Sequence, residues 1–357
     1  MTRRVLTVAA LAAWIALSSV AAGRAHETTE AAPSLHQEPD ALLAGIQHAV
    51  CYSGFRKGQH PDRGDGAVNP TDEQILEDLR MLTRDGNFRL IRVYDSGANS
   101  EAVLRLIRKH GFDMKVMLGA WLSAEMSNPE CPWTPDPYPE EVLQANRKHN
   151  ALEIERAVRL AREYPKIVCS VAVGNEALVN WNDHMVPVER VIDYVRTVKK
   201  AVPQPVTVAD NYVWWAEEGH ELAAELDFVS VHIYPVWENR DIDEGISYGA
   251  ENMQRVRDAL PESRLVITEA GWASTASEFG ERASQEKQLA YYNDVFRWSA
   301  ERNITLFFFE AFDESWKGNP DNPAGAEKHW GLFTEDRRPK LVMQELYPDL
   351  PPAAATE

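Results

Sequence analysis

Short apolar runs recur along the chain and predict buried strands. The clearest run, residues 167–178, is built of small and β-branched residues without polar alternation. A run of this length and composition favours a strand that is covered on both faces, as in a parallel sheet. The eight predicted strands cover residues 41–52, 88–94, 114–121, 167–178, 205–210, 228–234, 264–269 and 304–309.

Helical patterns follow most of these strands. The first begins with a capping box formed by Thr71 and Gln74, and the second is stopped by Gly111, since glycine readily adopts the left-handed conformation that ends a helix. Strands that alternate with helices predict an α/β fold, and eight of them predict a closed (β/α)8 barrel, or TIM barrel, in a single domain. The predicted helices begin near Thr71 and Pro187 and cover about residues 100–110, 147–163 and 285–300.

The two ends of the chain differ in composition from the barrel. Residues 1–25 start with two arginines, followed by a long apolar run and then small residues, an order typical of a secretory signal peptide. Residues 26–40 are polar and contain two prolines, so we expect a disordered leader. The catalytic barrel domain is expected over about residues 41–348, with a C-terminal tail at 349–357. The apolar run is also long enough for an uncleaved membrane anchor, which stays open as an alternative.

The charge of the chain narrows its range of partners. Among 357 residues, 37 Lys and Arg against 55 Asp and Glu give a net charge of −18, and no basic cluster interrupts the acidic balance. Nucleic acid and anionic membrane surfaces require a cationic footprint, so we expect neither as a partner. A neutral ligand fits better, and 11 Trp and 11 Tyr residues offer platforms for the apolar faces of sugars. We expect a secreted or periplasmic monomer, without stable membrane insertion after signal cleavage.

The three cysteines do not make a disulfide scaffold. Cys169 lies in a predicted buried strand, so we expect a free thiol in the core. Cys51 and Cys131 both fall near the same rim of the predicted barrel and could pair in an oxidising compartment, an alternative that the sequence leaves open. The 10 histidines show neither His-x-His nor His-Glu-x-x-His spacing, so no metal site is expected.

Two of the predicted strands end in a glutamate, Glu176 and Glu269. A buried strand has no structural use for a carboxylate at its tip, whereas barrel enzymes place catalytic groups at the C-terminal ends of strands. Taken alone, either glutamate could instead cap the following helix. As a pair they are what a retaining glycosidase needs, an acid/base and a nucleophile that face each other across a sugar ring.

Four motifs are V-G-N-E at 173–176, T-E-A-G-W at 268–272, I-R-V-Y-D at 91–95 and I-Y-P at 233–235. Together they resemble glycoside hydrolase family 17, a β-1,3-glucanase family of the barrel clan with glutamates after strands four and seven. Segments at 52–59, 118–121, 310–317 and 329–333 are similar to its bacterial members, which include glucanosyltransferases. Two positions depart from the family pattern: Ala270 replaces a common Thr, and Val236 replaces an aromatic residue.

The resemblance implies a retaining double displacement that needs no metal or organic cofactor. Glu269 would attack the anomeric carbon, while Glu176 would protonate the leaving oxygen and later activate the acceptor. Two carboxyl groups roughly 5 Å apart would suit this mechanism, and their repulsion would raise the pKa of one and keep Glu176 protonated until it is used. Asn175 would bind the sugar 2-hydroxyl, and Tyr234 would reach Glu269 and orient it.

Other strand ends carry further candidates for substrate binding. Several of these residues also have a plain structural interpretation: Asn175 as a turn residue, Tyr234 as a packed rim aromatic, and Glu310 as a partner of Arg92. The remaining candidates are Arg92, Tyr94, Trp272, Glu310, Asp313 and Trp316.

Two competing functions stay open at this point. One is a different β-glycanase of the same barrel clan, which would act on another β-linked polysaccharide. The other is a non-catalytic carbohydrate-binding barrel, against which the presence of both strand-end glutamates argues. The sequence does not distinguish hydrolysis from transglycosylation, endo from exo action, or one preferred chain length from another.

The N-terminal pattern predicts export with loss of about 25 residues. N-terminal sequencing of the secreted protein should start near His26. Recovery of an intact Met1 in a membrane fraction would contradict this prediction and establish the anchor instead.

Overall fold

The computed structural model of the protein describes residues 34–38, 43, 48–62, 66–83, 88–134, 136–346 and 348. The predicted signal peptide and C-terminal tail lie outside the described residues, as does most of the predicted leader. Within the described part of the leader, Gln37 is buried, and its side chain bonds the backbone of Leu265 in both directions at 2.9 Å. This short segment therefore packs against the barrel, because its amide pairs with backbone groups at the start of a strand.

Eight parallel strands close into a barrel in sequence order, which confirms the predicted fold class. Each strand pairs with the next, and the eighth pairs with the first. The strands are buried over nearly their whole length, as their apolar sequences predict for a sheet covered on both faces. They are β1 Ala49–Cys51, β2 Leu90–Val93, β3 Lys115–Ala120, β4 Val168–Asn175, β5 Val206–Asn211, β6 Val229–Ile233, β7 Leu265–Ala270 and β8 Leu306–Phe308.

The helices of the described residues surround this barrel. The capping box of the first helix is confirmed, since the Thr71 amide donates to Gln74 Oε1 at 2.9 Å and the Gln74 amide donates to Thr71 Oγ1 at 3.3 Å. Gly111 ends the second helix with a φ of 67°, as predicted. The helices are α1 Asp72–Thr83, α2 Ala98–His110, α3 Glu140–Glu163, α4 Val188–Ala201, α5 Tyr212–Glu217, α6 His220–Ala223, α7 Ile242–Ala259, α8 Gln285–Ala300 and α9 Leu341–Leu346.

Two long helices differ from the sequence prediction. Helix α3 begins at Glu140, directly after Pro139 and well before the predicted start, because two acidic residues favour its first turn. Helix α7 was not predicted. Its buried face includes Gly245 and Gly249, which let the helix approach Trp272 and Ile233 closely, so it lacks the apolar periodicity that identifies a helix.

The register of the sheet brings polar side chains to one rim of the barrel. His232 in β6 stands in register with Glu269 in β7, next to an irregularity in that pairing. A Cβ atom at Gly119 would lie 2.3 Å from the carbonyl oxygen of Tyr94, so only glycine allows β3 to approach the end of β2 this closely. The rim is therefore built from strands held at short distance, which limits the movement of the side chains on it.

All three cysteines are free. The suggested Cys51–Cys131 disulfide is not formed: Cys51 is buried in β1, where its thiol donates to the Thr268 carbonyl at 3.3 Å. Cys169 is a free thiol, as predicted, but is only partly buried. Among the described residues, no helix has both the length and the apolar character needed to cross a membrane.

A buried ion pair joins α1 to the segment before α9. Asp78 in α1 is fully buried, and Arg337 donates to both of its carboxylate oxygens at 2.9 and 2.8 Å. Arg337 also donates to the carbonyl of Gly54 at 2.7 Å, and Arg56 adds a second charge to Asp78 at 3.0 Å. This cluster fixes the loop after β1 against the C-terminal part of the barrel.

We expect Arg337→Ala to lower the free energy of unfolding by about 3 kcal/mol, because it removes the main partner of a buried carboxylate. Urea denaturation should measure the change. The matched control is Arg338→Ala, which removes the exposed neighbouring arginine and should change stability by no more than about 0.5 kcal/mol. Equal effects of the two substitutions would show that the buried pair does not stabilise the fold.

Candidate active site

The two predicted glutamates meet at the C-terminal rim of the barrel. Nδ1 of His232 lies 2.9 Å from Oε1 of Glu176 and 3.5 Å from Oε2 of Glu269. One possible ligand atom from each of the three side chains lies within 4.8 Å of the other two. Two carboxylates this close can act on the same atom of a bound molecule, one as a nucleophile and one as a proton donor.

Glu269 is buried and held by three donors. Arg92 donates to its Oε1 at 2.7 Å, Tyr94 donates to the same oxygen at 2.9 Å, and Tyr234 donates to Oε2 at 2.6 Å. Burial by itself would raise the pKa of Glu269, but electrostatic attraction to His232 and Arg92, together with the tyrosine hydrogen bonds, outweighs it and lowers the pKa. Glu269 is therefore an ionised carboxylate in a fixed orientation.

Both tyrosines remain donors across the physiological pH range. Burial raises the pKa of Tyr94 and of Tyr234 well above the usual range, so their hydroxyl groups keep their protons. The sequence predicted that Tyr234 would reach Glu269, and the structure places it there; Tyr94 contacts the other oxygen of the same carboxylate.

Arg92 connects three side chains of the site. It is buried, and besides Glu269 it donates to Asn175 Oδ1 at 2.5 Å and faces Nε2 of His232 at 3.1 Å. A guanidinium group only donates, so Nε2 of His232 must accept and the ring proton resides on Nδ1. His232 therefore donates to Glu176. The same contact turns the amide nitrogen of Asn175 away from Arg92.

Sequence reasoning missed His232. One signal could have found it: in a strand, residues two apart share a face, so His232 points to the same side of β6 as Tyr234. A histidine inside the mostly apolar V-S-V-H-I strand, on the same face as a tyrosine of the site, indicates a polar function on the inward face.

Glu176 has an unusual backbone conformation. Its φ is +46°, in the left-handed region that non-glycine residues rarely adopt, and it follows Gly174 with a φ of +82°. Its amide donates to the carbonyl of Ala209 in the neighbouring strand at 2.8 Å. The side chain is 19% exposed, whereas that of Glu269 is 7% exposed. Of the two carboxylates, that of Glu176 is thus the more accessible to solvent.

A second charged cluster follows β8. Lys317 lies 2.6 Å from Oε2 of Glu310 and 2.9 Å from Oε2 of Glu314. The suggested Glu310–Arg92 pair is wrong, because Glu310 forms its ion pair with Lys317 and Arg92 forms one with Glu269. Burial raises the pKa of Glu310 well above its usual range, although the charge of Lys317 opposes the shift.

Glu327, in the segment after β8, is a carboxyl with a shifted pKa that sequence reasoning did not single out. Burial raises its pKa to about 7; Lys317 opposes the shift, and repulsion from Glu176 and Glu269 adds to it.

Two predicted substrate contacts, Trp272 and Asp313, lie in packed surroundings. Trp272 is fully buried: its indole donates to the Arg282 carbonyl at 2.8 Å and its ring packs 5.2 Å from that of Tyr291, so it offers no face to a sugar. Asp313 accepts from Lys340 at 2.6 Å and from the amide of Gly331 at 2.9 Å, which ties down adjacent loops.

Two other tryptophans on this side of the barrel are more accessible. Trp316 is partly buried, with its ring edge-on to Phe55 at 5.9 Å. Trp237 is 41% exposed and packs against Phe279 and Trp330. Trp330 in turn packs 5.2 Å from Tyr234, so an aromatic wall extends from the Glu269 partner to the surface.

The Glu176, His232 and Glu269 side chains could each offer one ligand atom to a metal ion. Their charge is already balanced from within the protein, because Arg92 contacts both His232 and Glu269. Coordination through Nδ1 would also displace the proton that His232 donates to Glu176. The donor set therefore suits proton and nucleophile chemistry better than metal binding.

Comparison with known proteins gives a consistent picture. Residues 49–331, from the first strand to the segment after the eighth, match the family of BtgE/BtgC glycoside hydrolase domains. A glucan 1,3-β-glucosidase from Arthroderma benhamiae is 23% identical over 267 residues, which cover 70% of this chain and 78% of that protein.

Solved structures show the same barrel. An endo-laminarinase from Formosa is 28% identical with a TM-score of 0.71, over 87% of this chain and 88% of that one. A glycoside hydrolase family 17 β-1,3-glucanosyltransferase from Rhizomucor miehei is 22% identical with a TM-score of 0.61, over 84% of this chain and 97% of that one.

Proposed function

This chain belongs to the BtgE/BtgC glycoside hydrolase family, and from that premise we propose that it cleaves or transfers β-1,3-linked glucans by a retaining double displacement. The protein is a glycoside hydrolase, and the family 17 resemblance of its motifs is confirmed. The substrate follows from similar proteins: the Formosa enzyme is named an endo-laminarinase, and an active-site mutant of the Rhizomucor enzyme was crystallised with laminaritriose.

The observation that carries the mechanism is the unequal environment of the two carboxylates. Glu269 is ionised and immobilised by Arg92 and two tyrosines, as a nucleophile requires. Glu176 is more exposed and receives its imidazole hydrogen bond on Oε1 only. Its Oε2 can therefore carry a proton towards a leaving group.

In the first step a Glu269 oxygen bonds to the anomeric carbon as the glycosidic bond breaks, and Glu176 gives its proton to the departing oxygen. In the second step water or a sugar hydroxyl passes a proton to Glu176 and attacks the same carbon, which releases Glu269. Asn175, with its carbonyl oxygen fixed by Arg92, presents its amide nitrogen to the sugar 2-hydroxyl. Water as the acceptor gives hydrolysis, and a sugar gives transglycosylation.

The sugar-binding cleft would be lined by Glu310, by Trp316 and by the aromatic wall of Trp237, Phe279 and Trp330. The pattern at residues 1–25 supports export, and the acidic charge of −18 supports a partner without negative charge. We therefore extend the proposal to a secreted or periplasmic monomer acting on a neutral glucan. Trp272 is fully buried and offers no ring face for sugar stacking, whereas Asp313 pairs with Lys340.

We expect linear β-1,3-glucan oligosaccharides to be consumed while cellulose and xylan oligosaccharides are not. Chromatography of the products should separate the two possible outcomes on the true substrate. Shorter products alone indicate hydrolysis, and products longer than the substrate indicate transfer. Equal turnover of all three substrates would overturn the assignment to β-1,3-glucan.

The two glutamates can be assigned separately. Glu269→Gly should lose nearly all activity even on activated aryl glucosides, because no covalent intermediate can form. Added azide should enter from the vacated face and give an α-glucosyl azide. Glu176→Ala should retain the first step on activated substrates, and azide should then give the β product.

Product stereochemistry, measured by NMR, decides the roles. Glu281→Ala, which removes an exposed glutamate beyond the barrel rim, is the matched control and should behave as wild type. Reversed stereochemistry would exchange the two roles. Near-full activity of both variants on β-1,3-glucan would refute the mechanism.

A further inference from the structure

We propose that Asn182 is a positioning residue for Glu176, which fixes the carboxyl in the orientation needed for proton transfer. This inference rests on the proposed function, because it assigns Asn182 a part in the acid/base step. Asn182 lies in the loop between β4 and α4 and is partly buried. It belongs to none of the motifs that identify the two glutamates.

The side-chain amide of Asn182 donates hydrogen bonds to both the backbone and the carboxylate of Glu176. Its Nδ2 donates to the Glu176 backbone carbonyl at 2.9 Å and to the Glu176 Oε2 at 3.2 Å. One NH2 group has two hydrogens, so both contacts can form at once. The opposite amide orientation would place an oxygen against two oxygens, which fixes the assignment. The backbone and side-chain torsions of Glu176 are thereby coupled through one small group.

These two hydrogen bonds are made to a residue with a strained backbone. Glu176 has a φ of +46°, which costs free energy unless the surroundings hold it. The Asn182 bond to the carbonyl and the Ala209 bond to the amide hold the residue from its two sides. Without Asn182, the loop would lose a restraint at the point where the carboxyl must be placed.

Asn182 is itself held by the neighbouring loop. Asn128, in the loop between β3 and α3, is buried, and its Nδ2 donates to the carbonyls of Asn180 and Asn182, each at 2.7 Å. The loop that carries Asn182 is therefore held in place by hydrogen bonds from the loop between β3 and α3. A side chain restrained in this way can position its partner to the accuracy that proton transfer requires.

His232 and Asn182 donate to different carboxylate oxygens of Glu176. His232 occupies Oε1, so the transferable proton belongs on Oε2, the oxygen that Asn182 contacts. Oε2 can accept from Asn182 and still donate its proton to the leaving oxygen. After transfer, both N–H groups stabilise the carboxylate that then acts as base.

Charged and titratable groups of several elements contact Glu176, interact with it electrostatically or lie beside it. They are His232 from β6, Glu269 from β7, Asp210 from β5, Glu327 from the segment after β8 and His184 from its own loop, which contacts the adjacent Asn175 carbonyl. All of them remain when Asn182 is replaced. A change in pH dependence can therefore be assigned to the lost amide.

The test uses the full-length enzyme with Asn182→Ala. On linear β-1,3-glucan oligosaccharides kcat/KM should fall by about tenfold or more, since a misplaced acid loses part of a general-acid contribution of about 10²–10⁴. On an activated aryl β-glucoside the initial burst, which needs little protonation, should change by less than about threefold. The basic limb of kcat/KM should move to higher pH, because the ionised carboxyl loses a donor.

Asn182→Asp is the second variant, of nearly the same size. It replaces the donor with a carboxylate beside Glu176, so the shift of the basic limb should exceed that of Asn182→Ala. Asn180→Ala is the matched control: Asn180 is exposed in the same loop and its side chain contacts Glu130, not Glu176. It should leave the pH profile and both substrates unchanged.

Equal losses on both substrates, with an unmoved basic limb in both Asn182 variants, would show a merely structural residue and overturn the proposal. This outcome is distinguishable from failure of the proposed function. If Glu176→Ala shows no dependence on the leaving group, the acid/base assignment itself fails, whatever the Asn182 variants do.

Discussion

The site depends on one buried guanidinium. Arg92 is only 1% exposed, and its nitrogens contact Glu269, Asn175 and His232, which stand on three different strands. A buried cation is stable only if anions and acceptors surround it. The barrel therefore places these groups around Arg92, and the same contacts ionise Glu269 and set the tautomer of His232. The contacts that stabilise the buried guanidinium of Arg92 are thus the same contacts that prepare the site for chemistry.

The sequence predicted the parts of the site that have a local signature. Apolar runs located all eight strands, because a strand buried on both faces needs little beyond composition to be recognised. Glu176 and Glu269 were found because a carboxylate at the end of such a strand is out of place structurally. The barrel topology then brought them together, since C-terminal strand ends share one rim.

What the sequence did not predict depends on three-dimensional packing. His232 takes its part from its register with Glu269, which no spacing in the chain encodes. Trp272 follows the nucleophile motif, yet the close approach of α7 at Gly245 buries its ring. Glu310 could have paired with either of two cations, and only the fold beyond β8 places Lys317 nearest. Partner choice among charged groups is decided by geometry at the scale of single ångströms.

The left-handed backbone of Glu176 sets stability against activity at one residue. Glycine would adopt this conformation without strain, whereas glutamate costs the folded state of order 1 kcal/mol or more. A laboratory selection that rewards heat resistance alone would therefore favour removal of the carboxyl at this position. Engineering for thermostability must hold residue 176 constant and seek its gains on the outer helices, where conformational cost and chemistry are separate.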